Sequence, residues 1–246
     1  MNEQTAIVTG SSRGIGKAIA LQLARDGFNV VINYRQNREQ ADHVLEEMQA
    51  AGGQGIVVGA DVSNSEDAQH LIDTAVQTYG RVDVLVNNAG INKDQLMLRI
   101  SDEEWHQLIH TNLDSAFYCS RAVLRHMMKK RYGRIITISS VVGINGNAGQ
   151  AHYAAAKSGL LGFTFSLAQE YGNRGITANV VAPGFIQSDM TAALSPEQSA
   201  KILKSIAADR LGTPEDVAAT VAFLASPQAG YINGQVIRID GGMSSI

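Results

Sequence analysis

The chain has 246 residues, enough to bury a substantial core as one large α/β domain or as two small ones. Its net charge of −3 argues against general binding to nucleic acid or to an anionic membrane, because both partners attract a basic face. The single cysteine, Cys119, excludes an internal disulfide and a multi-cysteine metal site. We therefore predict no metal centre and a reducing, cytoplasmic location.

The sequence predicts neither a signal peptide nor a membrane-spanning helix. Residues 1–10 show no basic region followed by an apolar stretch, so we expect no signal peptide. No apolar run approaches the roughly 18 residues that a transmembrane helix requires.

Short runs rich in Val and Ile alternate with helical patterns along the chain. Residues with helical spacing include 15–26 and 67–79. The runs lack clean alternation, which is typical of strands buried on both faces. We predict strands at 5–9, 29–33, 55–59, 82–87, 134–139, 177–181 and 235–239. This order predicts βαβ units and a parallel sheet flanked by helices.

Four places carry signals for a helix start. Residues 63–66 and 101–104 have the Ser-x-x-Glu spacing of a capping box. Residues 195–198 and 213–216 place Ser or Thr before a proline, as expected for an N-cap and a first helical position. No repeat or Pro/Gly/Ser-rich linker interrupts the chain, so we predict a single domain over residues 1–246.

A glycine-rich turn follows the first predicted strand. The segment "TGSSRGIGKAIA" places Gly10, Gly14 and Gly16 between a strand and a helix, with GxxxGxG spacing. Such a turn lets the backbone approach a phosphate at the positive end of a helix, which predicts a nucleotide site. The alternative is that the three glycines serve only a tight turn.

The end of the second predicted strand bears on the type of nucleotide. An acidic residue there would bind the ribose hydroxyls of NAD, whereas arginine accommodates the 2′-phosphate of NADP. This chain has Asn33, Tyr34 and Arg35 at that point, with Arg38 beyond and Arg13 in the glycine turn. The pattern favours NADP. Alternatively, the arginines are solvated loop charges.

The segment "HYAAAKSG" places Tyr153 and Lys157 four residues apart on a strongly helical stretch. Positions i and i+4 are neighbours on a helix surface, so the phenol lies beside the ammonium. Pairs of this kind also arise by chance on many helices. The spacing by itself therefore leaves a structural and a catalytic interpretation open.

Taken together, the motifs resemble those of the short-chain dehydrogenases/reductases, and the match spans essentially the whole chain. They are "TGSSRGIG" (9–16), "ADV" (60–62), "NNAG" (87–90), "HTNL" with Asn112, "ISS" with Ser140, "YAAAK" (153–157), "PG" (183–184) and "DGG" (240–242). Within that family, "GQAHYAAAKSGL", "NVVAPGFIQSDMT" and "DRLGTPEDVA" are most similar to the 3-oxoacyl-[acyl-carrier-protein] reductases.

The resemblance implies a doubly wound Rossmann-type fold, with a seven-stranded parallel sheet and helices on both faces. It also implies a homotetramer that uses NADPH to reduce a 3-oxoacyl thioester to the 3-hydroxyacyl thioester, as in fatty acid biosynthesis.

The resemblance implies four catalytic residues. Tyr153 would be the general acid, and Lys157 would lower its pKa and bind the nicotinamide ribose. Ser140 would donate a hydrogen bond to the substrate carbonyl oxygen, where negative charge develops. Asn112 would anchor a water chain that returns protons to the Tyr–Lys pair. A structural alternative for Ser140 is a turn or cap at the end of a strand.

The same resemblance implies which residues contact the cofactor. Tyr153 and Lys157 contribute to this set as well as to catalysis. The other implied contacts to NADPH or NADP⁺ are Gly10, Ser12, Arg13, Ile15, Arg35, Asp61, Val62, Asn88, Ala89, Gly90 and Ile186.

The sequence says less about contacts with substrate and partners than about the cofactor site. Residues 121–134 carry six basic side chains, and cations near a helix C-terminus explain them without any partner. However, Arg131 and Arg174 match positions at which the similar reductases dock an acidic acyl carrier protein. Residues 187–212 are expected to cover the substrate, and residues 94–97 to border the site.

Three alternatives stay open. An acetoacetyl-CoA reductase or a polyketide-type ketoreductase would use the same catalytic residues. A catalytically idle NADP-binding regulator would share the fold, although it would be expected to have lost a catalytic residue.

Overall fold

The computed structural model describes residues 4–188, 191 and 195–243. Its centre is a seven-stranded parallel sheet with the order β3-β2-β1-β4-β5-β6-β7. The strands are β1 Thr5–Val8, β2 Asn29–Tyr34, β3 Gln54–Gly59, β4 Val84–Asn87, β5 Gly133–Ile138, β6 Ile176–Pro183 and β7 Val236–Ile239. All seven predicted strands are confirmed, with ends that shift by one or two residues.

Helices connect the strands throughout the described part of the chain. They are α1 Gly14–Arg25, α2 Arg38–Ala50, α3 Ser65–Tyr79, α4 Asp102–Ile109, α5 Ser115–Lys130, α6 Val142–Asn145, α7 Ala151–Tyr171, α8 Pro196–Leu203 and α9 Pro214–Ala225. Short 3₁₀ turns lie at Met97–Arg99, Gly172–Arg174 and Pro227–Ala229, and one π-helical turn, His110–Asp114, joins α4 to α5.

The sheet has an apolar layer on each face, which confirms the predicted doubly wound α/β fold. In β1, Ala6 and Val8 pack into a cluster with α1, α2 and α9, whereas Ile7 packs with α3, α5 and α7. Successive residues of a strand point to opposite faces, so a strand covered on both faces needs apolar residues at every position. This explains the continuous Val and Ile runs of the central strands.

Three of the four predicted helix starts are confirmed, and the N-cap predicted at the fourth is wrong. The helix α8 begins at Pro196, as the signal at 195–198 predicts. Ser101 and Glu104 form the complete capping box of α4, and Thr213 forms one with Asp216 at α9. At α3 the N-cap is Asn64 rather than Ser63. The Ser63 hydroxyl instead donates to the Asp61 carboxylate at 2.6 Å. Within the described residues, no helix is both long and apolar enough to span a membrane.

The strand order opens a crevice at the centre of the sheet. β1 pairs with β2 on one side and with β4 on the other, so the connections after β1 and β4 leave toward opposite faces. In open parallel sheets, this reversal of strand order leaves room for a ligand at the carboxyl ends of the strands. The glycine turn follows β1 at this point.

Candidate active site

The glycine turn after β1 depends on residues without side chains. Gly10 and Gly14 adopt positive φ angles of 61° and 55°, which L-residues with a side chain rarely do. A Cβ atom on Gly16 would lie 2.4 Å from the Gly10 carbonyl oxygen and 2.5 Å from Asn88 Nδ2. The sequence therefore needs glycine at all three positions, and the backbone is open for a close ligand.

The first turn of α1 is free to receive an anion. Arg13 is the N-cap, yet its side chain makes no capping hydrogen bond, and no acidic residue lies in the first turn. The first backbone N–H groups of a helix have no partner within the helix, and the helix dipole attracts negative charge there. This arrangement fits a phosphate group of a dinucleotide.

Asn33 fixes the glycine turn to the neighbouring strand ends. Its side-chain oxygen accepts the Gly10 N–H at 3.1 Å. Its side-chain nitrogen lies 3.3 Å, 3.3 Å and 3.1 Å from the carbonyl oxygens of Tyr34, Val58 and Ala60. Asn33 is only 2% exposed, so water does not reach its side chain. These bonds therefore satisfy the polar groups of Asn33 and of the backbone around it.

Thr9 and Asn88 fix the glycine turn to the connection that follows β4. The Thr9 hydroxyl accepts the N–H groups of Asn88 and Ala89, both at 2.9 Å. The Asn88 side chain donates back to the Thr9 carbonyl at 2.8 Å and to the Gly10 carbonyl at 3.1 Å. The two connections that flank the crevice are thus held in one arrangement.

A cleft of about 550 Å³ runs between these connections. Ten of the predicted cofactor residues line it, namely Gly10, Ser12, Arg13, Ile15, Arg35, Asp61, Val62, Asn88, Ala89 and Gly90. At its β2 end, the Arg35 guanidinium lies 3.8 Å from the Asp61 carboxylate. A glycine cradle, an uncapped helix start and an exposed arginine together fit a dinucleotide with a phosphorylated ribose.

The predicted catalytic pair lies on α7, next to the end of β5. Tyr153 is partly buried and its hydroxyl hydrogen-bonds with the Ser140 side chain. Lys157 is only 4% exposed, and its ammonium donates to the Ile138 carbonyl at 2.9 Å. The Lys157 Nζ lies 5.7 Å from the centre of the Tyr153 ring. The structure thus brings Ser140, Tyr153 and Lys157 together.

The pKa of Tyr153 differs from the expectation drawn from the sequence. Lys157 was expected to lower it, but burial raises the pKa of Tyr153 above the usual value of 10.0. The hydrogen bond with Ser140 opposes this rise, and the Asp94 charge adds to it. The reason is geometric, since the ammonium lies over the ring and is bonded to Ile138. Burial also lowers the pKa of Lys157 to about 8.

Asn112 lies in the π-helical turn between α4 and α5, and it is 1% exposed. Its side-chain nitrogen donates to the Leu108 carbonyl at 2.9 Å and to the Ile91 carbonyl at 3.0 Å. Its side-chain oxygen accepts the Ile91 N–H at 3.1 Å. Asparagine is unfavourable inside an α-helix, and the widened turn gives its amide these partners.

Gly90 connects the cleft with the catalytic residues. A Cβ atom there would lie 2.5 Å from Asn112 Oδ1 and 3.5 Å from Lys157 Nζ. The side chains of Asn112 and Lys157 therefore both lie beside Gly90, which lines the cleft. Sequence reasoning selected all of these residues through motifs, but the spacing along the chain does not reveal that they converge here.

Two predicted groups lie outside this arrangement. Ile186 is buried beside Gly212 and, like Tyr153 and Lys157, is not among the residues that line the cleft. Of the segment expected to cover the substrate, residues 189–190 and 192–194 lie outside the described part of the chain. Of the described residues in that segment, Ser188 lines the cleft.

Arg131 and Arg174, the predicted docking residues, lie on one exposed surface. Arg131 ends α5 with a left-handed φ of 52°, and it donates to the Asn173 carbonyl at 3.0 Å. A Cβ atom on Gly175 would lie 2.3 Å from the Arg131 carbonyl oxygen, so the segment of Arg174 packs directly against it. The structure thus brings the Arg131 side chain against the backbone of the segment that contains the exposed Arg174.

Sequence reasoning missed the supporting residues Thr9, Asn33 and Ser139. The Ser139 hydroxyl donates to the Lys157 carbonyl at 2.8 Å and so ties the end of β5 to α7. A usable signal was present, because these are polar residues at the ends of otherwise apolar buried strands. Which backbone groups they bind depends on the tertiary structure alone.

Comparison with known proteins places the chain among reductases. A family model described as enoyl-(acyl carrier protein) reductase matches residues 10–244. A 3-oxoacyl-[acyl-carrier-protein] reductase of Synechocystis sp. is 50% identical over 99% of this chain and 98% of its own. One from Escherichia coli is 51% identical over 97% and 96%, and one from Staphylococcus epidermidis is 48% identical over 98% of each chain.

Proposed function

The chain belongs to the short-chain dehydrogenase/reductase family, and on this basis we propose that it reduces a 3-oxoacyl thioester to the 3-hydroxyacyl thioester with NADPH, as in fatty acid biosynthesis. The observation that carries the proposal is the convergence of the Ser140 and Tyr153 hydroxyls beside the buried Lys157, at the edge of a dinucleotide cleft. The three relatives named above carry 3-oxoacyl reductase names, and these support the choice of substrate class.

Tyr153 donates the proton in this reaction. When bound, the nicotinamide supplies a hydride to the carbonyl carbon, and the carbonyl oxygen then needs one proton to become the hydroxyl. Burial keeps the Tyr153 phenol protonated at neutral pH, so a proton is available at the place where the oxygen gains charge. The Ser140 hydroxyl donates a second hydrogen bond to that oxygen.

Lys157 and Asn112 support the return of the proton to Tyr153, and Lys157 also binds the cofactor. With a pKa of about 8, the Lys157 ammonium is largely charged at neutral pH, and its charge opposes the effect of burial on the Tyr153 phenolate without outweighing it. The bond to the Ile138 carbonyl holds the ammonium in place for the nicotinamide ribose. Asn112, buried beside Lys157, orders the water through which the pair is reprotonated.

The preferred cofactor is NADPH. Residues 35–38, directly after β2, contain no carboxylate, and Arg35 lies at the end of the cleft where a 2′-phosphate would be bound. Ile186 is assigned to the nicotinamide side because its segment continues into Ser188, which lines the cleft.

The substrate is carried by an acyl carrier protein that docks on Arg131 and Arg174. Both arginines are exposed on one surface and attract an acidic partner. Near the catalytic end, Leu96, Met97 and Leu98 are 60%, 65% and 100% exposed, which suits contact with an apolar acyl chain.

One side-by-side assay separates the candidate activities. NADPH oxidation is measured with acetoacetyl-carrier protein, acetoacetyl-CoA, a longer 3-oxoacyl thioester and a 2-enoyl thioester. We expect the highest kcat/KM with the 3-oxoacyl carrier protein. A preference for the coenzyme A thioester favours an acetoacetyl-CoA reductase, and turnover of the enoyl thioester alone rejects carbonyl reduction. NADPH binding without turnover of any of them favours an idle regulator.

The docking surface has its own test. Reversing both charges with Arg131→Glu and Arg174→Glu should raise KM for the carrier-protein substrate and leave acetoacetyl-CoA nearly unaffected. Arg25→Glu, an exposed reversal at the end of α1, is compared with each single variant, Arg131→Glu and Arg174→Glu, because each of the three changes the net charge by the same amount. Equal effects on both substrates would argue against docking at this surface.

The remaining assignments complete the proposal. The chain is a single domain, it works in the cytoplasm as a homotetramer, and it binds neither nucleic acid nor membrane. Phe117 and Phe165 are 41% and 38% exposed on α5 and α7, which supports association through these helices. Light scattering of the purified protein should give four times the chain mass, and a monomer would overturn the assembly.

A further inference from the structure

Two segments that flank Tyr153 are bonded to one another. The Gln150 side chain donates to the Asp94 carboxylate at 2.7 Å, and the Gln95 N–H donates to the Gly149 carbonyl at 2.7 Å. The Asn92 side chain donates to the same Asp94 oxygen at 2.9 Å. The connection after β4 is thereby attached to the segment that leads into α7.

Gln150 occupies the position that determines where α7 begins. It is the N-cap residue of α7, and its carbonyl accepts the Ala154 N–H at 2.7 Å, so Tyr153 lies in the first turn. The segment before it is exposed and contains Gly146 and Gly149 with φ angles of 73° and 80°. Glycine leaves a segment conformationally free, and the N-cap residue makes no side-chain cap. Apart from the two hydrogen bonds between Asn147 and Gln150, local sequence therefore does little to fix this turn.

We propose that Asp94 is a positioning residue, which fixes the first turn of α7, and with it the Tyr153 hydroxyl, through its hydrogen bond to Gln150. This role rests on the proposed reductase function, because it concerns the residue that donates the proton. The bond between Gln150 and Asp94 is exposed to solvent, so it adds little to the stability of the fold. Its effect is to restrict the range of positions that the Tyr153 hydroxyl can adopt.

Asp94 also acts on Tyr153 by its charge. The charged groups near the phenol come from two elements, namely Lys157 on α7 itself and Asp94 from the connection after β4. The Ser140 hydroxyl, after β5, adds a neutral hydrogen bond. The negative charge of Asp94 favours the neutral phenol and keeps it a proton donor to higher pH.

Three variants separate the hydrogen bond from the charge. Asp94→Asn removes the charge but keeps a side-chain oxygen that accepts from Gln150. Asp94→Ala removes both. Gln150→Ala removes the partner of Asp94 and also the bond that the Gln150 side chain accepts from Asn147 at 2.9 Å. We expect kcat to fall about three- to tenfold in Asp94→Ala and Gln150→Ala with KM for NADPH unchanged, whereas Asp94→Asn retains most of kcat at neutral pH.

The double variant and the pH profile complete the test. If the two residues act as one unit, Asp94→Ala with Gln150→Ala falls no further than either single variant. The more alkaline of the two expected limbs of kcat, which belongs to Tyr153 and lies above that of Lys157, should move to lower pH in both Asp94 variants and stay in place in Gln150→Ala, because removing a negative charge lowers the pKa of Tyr153.

Hydrogen exchange gives a readout that needs no substrate. Backbone amides at 146–156 should exchange faster in Asp94→Ala and Gln150→Ala than in Asp94→Asn or the unchanged chain. Normal kcat and exchange in both alanine variants, or multiplicative losses in the double variant, would overturn the proposal. If the unchanged protein reduces no 3-oxoacyl thioester, the reductase function fails, while the exchange data still decide whether Asp94 positions the helix start.

Discussion

Replacing Asn33 with aspartate changes one nitrogen to oxygen at the point where β2 supports the glycine turn. The new carboxylate still accepts the Gly10 N–H, which now lies 3.1 Å from the asparagine oxygen. Its other oxygen, however, faces the carbonyl groups of Tyr34, Val58 and Ala60, which accept from the asparagine nitrogen. At 2% exposure, water does not screen this repulsion.

The magnitude follows from the pKa of the new carboxyl group. Its unfolded value is about 3.9, and burial among carbonyl oxygens raises the folded value by about two units or more. Because the folded pKa is the higher one, the stability contributed by the bound proton is complete below about pH 4 and is lost as the pH rises through the folded pKa. At pH 7 the loss relative to pH 4 is about 3 kcal/mol, or roughly 6–12 °C in Tm for a chain of this size.

Thermal unfolding of Asn33→Asp between pH 4 and pH 8, each time compared with the unchanged chain, measures this loss. Asn37→Asp is the matched control, because Asn37 is exposed and its side chain only accepts, from the Gln40 N–H at the start of α2. Aspartate caps a helix as well as asparagine does, so this control should keep its Tm. Equal shifts in the two variants, or a Tm difference for Asn33→Asp that does not depend on pH, would refute the reasoning.

Three further changes test the site. Tyr153→Phe removes the proton donor and should lower kcat about 10²- to 10⁴-fold while NADPH still binds, as measured by NADPH oxidation and fluorescence titration. Gly16→Ala places a methyl group 2.4 Å from the Gly10 carbonyl oxygen and should weaken NADPH binding at least about tenfold, as measured by fluorescence titration. Arg35→Ala should raise KM for NADPH about tenfold and leave KM for NADH unchanged, and equal effects on both cofactors would exclude a 2′-phosphate contact.

Local sequence determined most of the architecture. The Val and Ile runs identified all seven strands because a strand covered on both faces must be apolar at every position, and the alternation with helices then required parallel pairing. The glycine positions were equally readable, because only glycine tolerates the positive φ of Gly10 and the close contacts of Gly16. The error at Ser63 was also local, since Asn64 lies one residue further on and caps the same helix.

What only the tertiary structure decided are the contacts between residues that lie far apart in the chain. The i,i+4 spacing placed Lys157 beside Tyr153, but the carbonyl of Ile138 holds the ammonium over the ring, and burial moves the pKa of Tyr153 upward. The partners of Asn33 and the bond between Asp94 and Gln150 likewise depend on how strands and loops meet. Sequence patterns report local geometry and burial, whereas the field at a buried group is set by whichever distant atoms the fold brings within a few ångströms of it.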